Sequence, residues 1–372
     1  MLFLALAEIR RNVGRFCVLV AAITMLVFLI LFQQSLKNGL VTSFVGAIRN
    51  QSAPILVYSI DGQRVIQSSS ITPSLEKAVR SHDAIESIGR IGQGTFTVRA
   101  GQHRFDTTIL GFEKRNLGAP TDLVAGRYPN RGEAVGSESD SSEGFGIGDV
   151  VVVEPGGLQI KIVGIAKEVQ LNAGPTLFTP YETYEDAVSA VNPDAGTPLP
   201  NVLAIAPADN VSPAVVVDQV NAISPDLDAL ERDAAADNTP GVSQVQQSFQ
   251  VIFLLYGLVI PCVVGLFFLI ITFQKSRALT LLRAIGAPPR RLVVSLLIQA
   301  VAVTSAGFVL GVALYWPLST RRLGGIPLKF ETTAVFAWAI VLLILGIGSS
   351  LVAARRVLAI DPIEAATGGA SR

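Results

Sequence analysis

Cysteine and histidine are scarce in this chain, which has 372 residues and only two of each. Cys17 and Cys262 both lie in apolar runs, so the sequence offers no disulfide framework and no cysteine spacing typical of a metal site. His82 and His103 are isolated among polar residues, which also argues against a metal site. A P-loop of the form G-x-x-x-x-G-K-[ST] is absent, so we predict that the chain does not bind ATP in this way.

Aspartate, glutamate, lysine, arginine and histidine are absent from four long apolar runs, at residues 16–32, 251–271, 292–315 and 334–354. Each run is long enough for a transmembrane helix, although the first, which Gln33-Gln34 end, only reaches the lower limit. Charged side chains inside a membrane mark ion paths and proton relays, so their absence argues against a channel or a proton-coupled carrier. One span followed by three also lacks the inverted repeat of secondary transporters. No catalytic pattern stands out, and we predict that the chain is not an enzyme.

Charge is divided sharply along the chain, although the formal net charge is zero. Residues 36–245 contain 15 basic and 25 acidic residues, whereas the rest of the chain contains 14 basic and 4 acidic residues. This division predicts an acidic, water-facing domain joined to basic membrane flanks. We therefore predict an amphipathic helix and the first span at 1–35, the domain at 36–245, three spans at 246–360 with a basic loop at 275–291, and a tail at 361–372.

The distribution of basic residues predicts that both termini lie in the cytoplasm. Three arginines precede the first span, and no A-x-A cleavage site follows it, so we interpret this run as an uncleaved span. The domain at 36–245 is then extracytoplasmic. The short outer loop also carries Arg321, Arg322 and Lys329, but the segments assigned to the cytoplasm carry 11 basic residues.

Residues 36–245 contain alternating strand and helix patterns. The predicted elements are strands at 55–59, 94–100, 104–112 and 202–206 and helices at 73–81, 179–188 and 211–223. A glycine-punctuated region between the third strand and the second helix indicates further short strands joined by tight turns. This order predicts an α+β domain with a β-rich insertion.

The segment between the second and third spans is basic and contains no acid. Its cations are Lys275, Arg277, Arg283, Arg290 and Arg291. Such an excess of lysine and arginine is typical of cytoplasmic loops. Residues 278–285 favour a short helix, Gly286 suits its C-cap, and Pro288-Pro289 end it. Because a helix this short cannot form a core alone, we expect it to bind a partner in the cytoplasm.

Several segments together resemble one family of membrane proteins. The loop sequence LLRAIGAPPRRL, followed by a span that contains Gln299, is similar to the signature loop of MacB/FtsX-like ABC transporter permeases. The segments GRYPNRGEAVGS, GIGDVVVV and IKIVGIAKE resemble the extracytoplasmic domain of the MacB group, and AARRVLAIDPIEAATGG resembles the family's C-terminal sequence. The resemblance implies an α-helical membrane protein with four transmembrane helices (1+3) and an extracytoplasmic α+β domain like the MacB periplasmic core domain.

The resemblance also implies a role for the short basic helix. In this family it is the coupling helix, which docks in a groove of a separate ATPase subunit. By match to the family loop, the predicted docking residues are Leu281, Arg283, Ala284, Ile285, Gly286 and Ala287. For Lys275 and Arg277 two interpretations stay open, a part of this surface or contacts with lipid headgroups.

The remaining implications concern cofactors, partners and location. ATP and Mg²⁺ would be bound by the partner ATPase, and this chain would hold no cofactor. The permease would be a homodimer in the inner or cytoplasmic membrane, surrounded by lipids and without a nucleic-acid partner.

The implied function is export by mechanotransmission, in which motion of the ATPase reaches the extracytoplasmic domain through the first and second spans. One alternative has the same fold: a non-transporting subunit that drives an external partner such as a cell-wall hydrolase. A membrane-anchored sensor without an ATPase is a third interpretation. No residue selects among haem, lipid, lipoprotein, peptide and drug substrates.

Overall fold

The structure of the chain is a computed structural model. It describes residues 13–274, 289–319, 322–323, 326–328 and 330–358. Contacts divide these residues into two units. Asn38–Gln247 form an α+β domain, and the described residues before and after them form a helical unit. Each unit has a hydrophobic core of its own.

Helix α1 spans Val13–Arg49, a length of 37 residues. At 1.5 Å per residue it is about 55 Å long, well beyond the roughly 30 Å of a bilayer core. Gln33-Gln34 end the apolar run, as predicted, but they do not end the helix. The helix continues because Val41, Val45 and Ile48 recur at helical spacing and are buried in the α+β domain.

The domain contains ten strands in one sheet. They are β1 (Ile55–Ser59), β2 (Ile85–Ala100), β3 (His103–Phe112), β4 (Leu123–Gly126), β5 (Glu133–Ser137), β6 (Val150–Glu154), β7 (Leu158–Ala166), β8 (Thr176–Pro180), β9 (Val202–Pro207) and β10 (Leu227–Glu231). Neighbouring strands follow the order β10-β1-β9-β2-β3-β8-β5-β7-β4, and β6 pairs with both β2 and β7. The predicted strand at Ile55–Ser59 is confirmed without a change, and the other three predicted strands are confirmed with longer bounds.

Six of these strands close into a barrel. β2 pairs with β3 and β6, β7 pairs with β6 and β5, and β8 joins β5 to β3. The core of the barrel combines aliphatic and aromatic side chains, and Val98, Ile109, Val151, Ile160 and Leu177 are fully buried in it. Closure pairs the strands that would otherwise present free edges. The barrel is the β-rich insertion that the sequence predicts.

The other half of the domain packs helices on both faces of its sheet. The helices of the domain are α2 (Pro73–Arg80), α3 (Tyr181–Val191), α4 (Pro213–Asn221) and α5 (Arg232–Asp237). On β1, Ile55 and Val57 are buried with residues of α2 and α4, whereas Leu56 and Tyr58 are buried with the end of α1. The three predicted helices are confirmed with shifted bounds, whereas β10 and α5 were not predicted.

Three long helices follow the domain: α6 (Val242–Gln274), α7 (Pro289–Tyr315) and α8 (Thr332–Leu358). A hairpin of β11 (Arg322–Leu323) and β12 (Ile326–Pro327) lies between α7 and α8. Together with α1, these helices are long and apolar enough to cross a membrane. Pro261 lies inside α6 without ending it, and Pro289 is the first residue of α7, where its missing N–H leaves no helical bond unmade. The predicted fold class, four apolar helices with an α+β domain, is confirmed.

Candidate functional site

The predicted docking residues for an ATPase lie outside the described residues. They are Leu281, Arg283, Ala284, Ile285, Gly286 and Ala287. Lys275 and Arg277 lie outside them as well. The structure does describe the two helices that border this segment, since α6 ends at Gln274 and α7 begins at Pro289.

Two glycines of α7 allow this helix to pack closely against α1. A Cβ atom at Gly307 would lie 2.6 Å from the side chain of Ile23, and one at Gly311 would lie 2.6 Å from that of Val27. The Thr24 carbonyl oxygen would be only 2.9 Å from a Cβ at Gly311. Small residues four apart permit such close helix contact. Here the contact is made within the chain, so these glycines do not offer a free face for dimerisation.

Polar side chains are buried inside the helical unit. Gln299 is fully buried, and its Nε2 atom donates to the Ser295 hydroxyl over 3.4 Å. Thr304 and Ser350 are also buried, and a Cβ at Gly346 would lie 2.9 Å from the Thr304 hydroxyl oxygen. In a membrane such groups favour helix association, because lipid offers them no hydrogen bonds. The interior position of Gln299 thus has a packing role.

An apolar groove of about 770 Å³ lies between α6 and α8. Its lining includes Phe253, Leu254, Leu258, Ala337, Trp338 and Val341. Leu254 and Leu258 are 75% and 64% exposed, so the groove opens to the surface of the helical unit. A groove of this composition suits a hydrocarbon group better than a charged solute.

The end of α1 is enclosed by the α+β domain instead of packing on it with one face. Val45, Ala47 and Ile48 are at most 3% exposed, and Gly46 between them is buried as well. Four consecutive buried residues cover every side of a helix, because successive residues are rotated by about 100°. We call this end of the helix, together with the loop that contacts it, the α1 junction.

The loop in the α1 junction comprises residues 167–174, between β7 and β8. Its backbone bonds directly to the backbone of the helix. The Ala47 N–H donates to the Gln170 oxygen (2.9 Å), the Asn172 N–H to the Phe44 oxygen (3.1 Å) and the Ala173 N–H to the Ser43 oxygen (2.8 Å). Helical residues ordinarily bond within the helix. A second backbone therefore holds this turn of α1.

Gly46 allows the loop to come so close. A Cβ atom at this position would lie 2.3 Å from the Glu168 carbonyl oxygen, so any side chain here displaces the loop. The loop itself has positive φ angles at three residues other than glycine, Glu168 (57°), Asn172 (54°) and Ala173 (57°). Such angles persist where surrounding contacts fix them. The conformation of loop 167–174 thus depends on the helix beneath it.

The side chain of Gln170 links α1 to a third segment, the 3₁₀ helix Glu138–Glu143. The Ser43 hydroxyl donates to its Oε1 atom (3.1 Å), and its Nε2 atom donates to Oδ1 of Asp140 (2.5 Å). Ser139 donates to the same carboxylate oxygen over 3.0 Å. Ser43, Gln170 and Asp140 are at most 6% exposed. Charge-assisted bonds are stronger than neutral ones, so this buried chain stabilises the α1 junction.

The start of α6 is attached to the domain by fewer contacts. Val242 is 3% exposed, whereas Ser243 and Gln244 are exposed. Gly241 has a φ of 89° and donates its N–H to Oε1 of Gln244 (3.0 Å), which caps the helix. A glycine directly before a helix leaves the chain free to change direction there. We call residues 241–247 the α6 junction.

Asp237 contacts both connecting helices. Its Oδ1 atom accepts a hydrogen bond from Arg49 of α1 (2.6 Å) and one from Gln246 of α6 (3.3 Å). The side chains of Arg49 and Asp237 are 39% and 52% exposed, so the ion pair is open to solvent. Exposed pairs contribute little to stability. Asp237 therefore marks where the two helices meet the domain but does not hold them there.

A cluster of charges fixes α2 to β2. Arg90 donates to both carboxylate oxygens of the buried Glu76, from Nε (2.9 Å) and Nη2 (3.0 Å), and Arg80 donates over 2.7 Å. Burial opposes ionisation of Glu76, but the hydrogen bonds from Arg90 and Arg80 outweigh it and lower its pKa. Burial likewise raises the pKa of Tyr184, to about 12. Glu76 is thus an ionised partner of two arginines, which suits a structural role.

The two histidines lie in the α+β domain, and the two cysteines lie in helices of the helical unit. Among the described residues, no three His, Cys, Asp or Glu side chains are placed to hold a metal ion. His82 accepts a hydrogen bond from the Ala84 N–H through Nδ1 (3.3 Å), and the ring of His103 lies 6.4 Å from that of Phe105. Cys17 and Cys262 are free thiols.

The α1 junction is the feature that the sequence analysis missed. Two signals are present in the sequence: Gly46 within an otherwise helical run, and the turn-forming residues Asn172 and Gly174 after a strand. Neither signal names its partner, because Ser43 and Gln170 are 127 residues apart in the chain. Only the fold of the domain brings these segments together.

The C-terminal part of the chain matches a known family model. The model, described as the FtsX-like permease C-terminal, matches residues 250–362. This range includes α7 and α8, most of α6, and the basic loop between α6 and α7.

Two relatives are similar over nearly the whole chain. The putative hemin transport system permease protein HrtB of Staphylococcus haemolyticus (strain JCSC1435) is 23% identical over 368 residues, which cover 98% of this chain and 99% of that protein. The uncharacterized ABC transporter permease Rv0072 of Mycobacterium tuberculosis (strain ATCC 25618 / H37Rv) is 20% identical over 368 residues, with the same coverage.

Two solved structures are similar to part of the chain. The periplasmic region of MacB from Actinobacillus actinomycetemcomitans has a TM-score of 0.37 and 15% identity, and the match covers 55% of this chain and 95% of that one. The extracellular domain of the ABC-type transporter YknZ from Gram-positive bacteria has a TM-score of 0.35 and 13% identity, and covers 48% of this chain and 99% of that one.

Proposed function

Because this chain belongs to the MacB/FtsX-like ABC transporter permeases, we propose that it is the membrane subunit of an exporter that carries ATP-driven motion to its α+β domain. The chain is a multi-pass membrane protein, and ABC permeases in general work with an ATPase. One observation carries the proposal. α1 and α6 each contain an apolar run of spanning length and also extend, without a break, to residues of the α+β domain.

Continuity of these helices is what mechanotransmission requires. An α-helix bonds every turn to the next, so a displacement at one end appears at the other end without loss to a flexible linker. The apolar runs contain no Asp, Glu, Lys, Arg or His that would couple transport to an ion gradient. The energy then comes from a partner, which we take to be the ATPase.

The ATPase docks, in this proposal, on the loop between α6 and α7. Its contacts are the residues predicted from the sequence: Leu281, Arg283, Ala284, Ile285, Gly286 and Ala287. ATP and Mg²⁺ are bound by the ATPase. Since α6 borders this loop and also reaches the domain, it receives the displacement directly. The positive charge of the loop supports a topology with the loop and both termini in the cytoplasm and the α+β domain on the other side of the cell membrane. Two copies of the chain form the exporter.

Hemin is the first cargo to test, for two reasons. The relative from Staphylococcus haemolyticus is named for hemin transport and matches this chain from end to end. The groove between α6 and α8 has an apolar lining and a volume of about 770 Å³, which suits a hydrophobic molecule. If the ATPase is coupled but no cargo moves, the chain instead drives an external partner, which is the alternative that the sequence left open.

Co-purification tests the docking surface. The tagged chain is isolated from its host in mild detergent, and ATP hydrolysis is measured in the eluate for the wild type, Gly286→Pro and Arg283→Glu. Both substitutions alter the predicted surface, so we expect both to lose the ATPase. Arg104→Glu is the matched control, because it makes the same charge change on the α+β domain at a side chain that is 71% exposed.

The outcomes show whether an ATPase binds the chain at the predicted docking surface. An ATPase that is retained by the wild type and by Arg104→Glu, but lost from both loop variants, supports the proposal. Recovery of no ATPase with the wild type, under conditions that preserve the folded chain, overturns it. Export is then measured in vesicles as ATP-dependent movement of hemin, with a vesicle lacking the ATPase as the reference.

A further inference from the structure

We propose that loop 167–174 is the positioning element through which α1 moves the barrel of the α+β domain. This inference rests on the proposed function, because it assumes that α1 transmits a displacement. It goes further by assigning the point of transfer to named residues. These residues lie within the α+β domain, in the α1 junction.

The loop connects the helix directly to the barrel, because it is hydrogen-bonded to α1 and joins two barrel strands. It begins directly after β7 and ends one residue before β8, and both strands belong to the closed barrel. The three backbone hydrogen bonds to Ser43, Phe44 and Ala47 are 2.8–3.1 Å long. Backbone bonds do not depend on side-chain rotamers, so a displacement of α1 reaches two barrel strands through a stiff connection.

A second path runs through the side chain of Gln170. Ser43 donates to it, and it donates to Asp140 in the 3₁₀ helix that directly follows β5. β5 is also a barrel strand. The loop thus links α1 to three strands of the barrel at once. Because Gln170 and Asp140 are buried, a loss of this bond leaves polar groups without water to replace it.

The loop also has little capacity to stretch. Its three positive φ angles belong to residues with side chains, and such angles are unfavourable unless the surroundings impose them. Leu171 and Val169 are buried in the same core as Val45 and Ile48. The loop therefore follows the helix, because sliding of one past the other would break the bonds and expose these side chains.

Gly46→Ala is the substitution that tests this arrangement. The added Cβ atom meets the Glu168 oxygen at 2.3 Å and displaces the loop while α1 remains a helix. Gly14→Ala is the matched control, since it makes the same change in the same helix at a position where, apart from the nearby backbone of the helix, no described residue lies within 4 Å of the added Cβ. Hydrogen exchange at Asn172 and Ala173 reports whether the loop has been released.

The readout for transmission is a distance between two spin labels, measured on the full chain with its co-purified ATPase. Cys17 and Cys262 are first replaced by serine. The labels are attached at Ile147→Cys, beside the barrel, and at Val215→Cys, on α4, where the native side chains are 50% and 45% exposed. In the wild type and in Gly14→Ala we expect ATP to change this distance. In Gly46→Ala we expect that change to be lost while ATP hydrolysis continues.

A second pair of variants guards against a simple folding defect. Gln170→Glu replaces the donor to Asp140 with a second carboxylate. The two buried carboxylates repel each other, so this variant should also abolish the ATP-dependent change. Combining Gln170→Glu with Asp140→Asn restores a donor and an acceptor in reversed order, so the change should return. A purely structural role predicts lower thermal stability for the single variants, with the ATP-dependent change still present.

The results distinguish failure of this inference from failure of the proposed function. If Gly46→Ala frees the loop, as shown by faster exchange, and ATP still changes the label distance as in the wild type, the inference is overturned. If the wild type hydrolyses ATP without any change in the distance, the inference is overturned as well. If the wild type recovers no ATPase, the proposed function itself is wrong and this inference falls with it.

Discussion

The two helices that connect the apolar spans to the α+β domain are held by that domain in different ways. α1 ends inside it, with buried residues on every side and a loop bonded to its backbone. α6 begins at its surface, where Val242 is the buried residue among the first six and a glycine with positive φ precedes it. In the proposed function, α1 therefore carries displacement into the domain, whereas α6 pivots at its start.

The contrast extends to the helical unit. α1 packs against α7 through Gly307 and Gly311, so it is also held closely at its apolar end. α6, by comparison, exposes a continuous apolar face that includes Leu254 and Leu258. Within the helical unit, the apolar run of α1 is thus buried to a larger extent than that of α6.

Truncation of a buried side chain should separate the two junctions most clearly. Ile48→Ala in the α1 junction removes a side chain that is 3% exposed. We expect it to lower the free energy of unfolding of the domain by about 2–5 kcal/mol, because a cavity remains. Val245→Ala in the α6 junction removes a half-buried side chain and should cost less than about 1 kcal/mol. Protease resistance of the full chain in increasing urea measures both. Equal losses would contradict the comparison.

Overpacking the contact between α1 and α7 should have the next largest effect. Gly311→Ala places a Cβ atom 2.6 Å from Val27, and we expect a loss of about 1–3 kcal/mol. Gly348→Ala in α8 adds its Cβ where, apart from the nearby backbone of the helix, no described residue lies within 4 Å, so it should be neutral or slightly stabilising. Thermal aggregation of the detergent-solubilised chain distinguishes the two. A wild-type midpoint for Gly311→Ala would show that α1 is not fixed at this end.

Lower pH should weaken the domain away from both junctions. The pKa of Glu76 is lowered in the folded domain, so its bonds to Arg90 and Arg80 stabilise the fold above the ordinary value of 4.5. That stabilisation is lost as the pH falls below this value through the folded pKa. Glu76→Gln should cost about 1–2 kcal/mol at neutral pH, since both arginines are about 40% exposed, and should flatten the pH dependence.

Urea unfolding at neutral pH and below the ordinary pKa of Glu76 checks this expectation. The substitution lies on the face of the sheet opposite to the end of α1, so it should leave the ATP-dependent change between the spin labels intact. A variant with a steep acid transition like that of the wild type would assign the pH dependence to other carboxylates.

The smallest effect should come from the exposed ion pair at the two junctions. Arg49→Gln removes a bridge to Asp237 whose partners are 39% and 52% exposed. We expect a loss below about 1 kcal/mol, which high salt reduces further because solvent ions screen the pair. The thermal midpoint, compared at low and high salt, measures it. A loss as large as that of Ile48→Ala would show that the surface, and not the enclosed helix, holds the junction.

Sequence reasoning succeeded where one local pattern decides the structure. β1 follows from a short, continuous apolar run, and the helix that begins at Pro73 follows from the N-cap Thr72, whose hydroxyl accepts from the Leu75 N–H over 3.4 Å. It failed where a polar sequence forms a regular element through tertiary contact. Residues 33–38 look like the end of a span, yet they are helical, because the next turns of α1 are buried in the domain.

Local patterns in the sequence specify the four apolar helices, the acidic α+β domain between the first and second of them, and the β-rich insertion. These features depend on composition and on periodicity within about twenty residues, which short-range sterics and hydrophobicity control. Tertiary structure alone decided that α1 is enclosed and α6 is not. It also decided that Gly46 meets Glu168, and that Gln170 joins Ser43 to Asp140. Such contacts unite segments more than a hundred residues apart, and no local preference of the chain specifies which distant backbone a helix will meet.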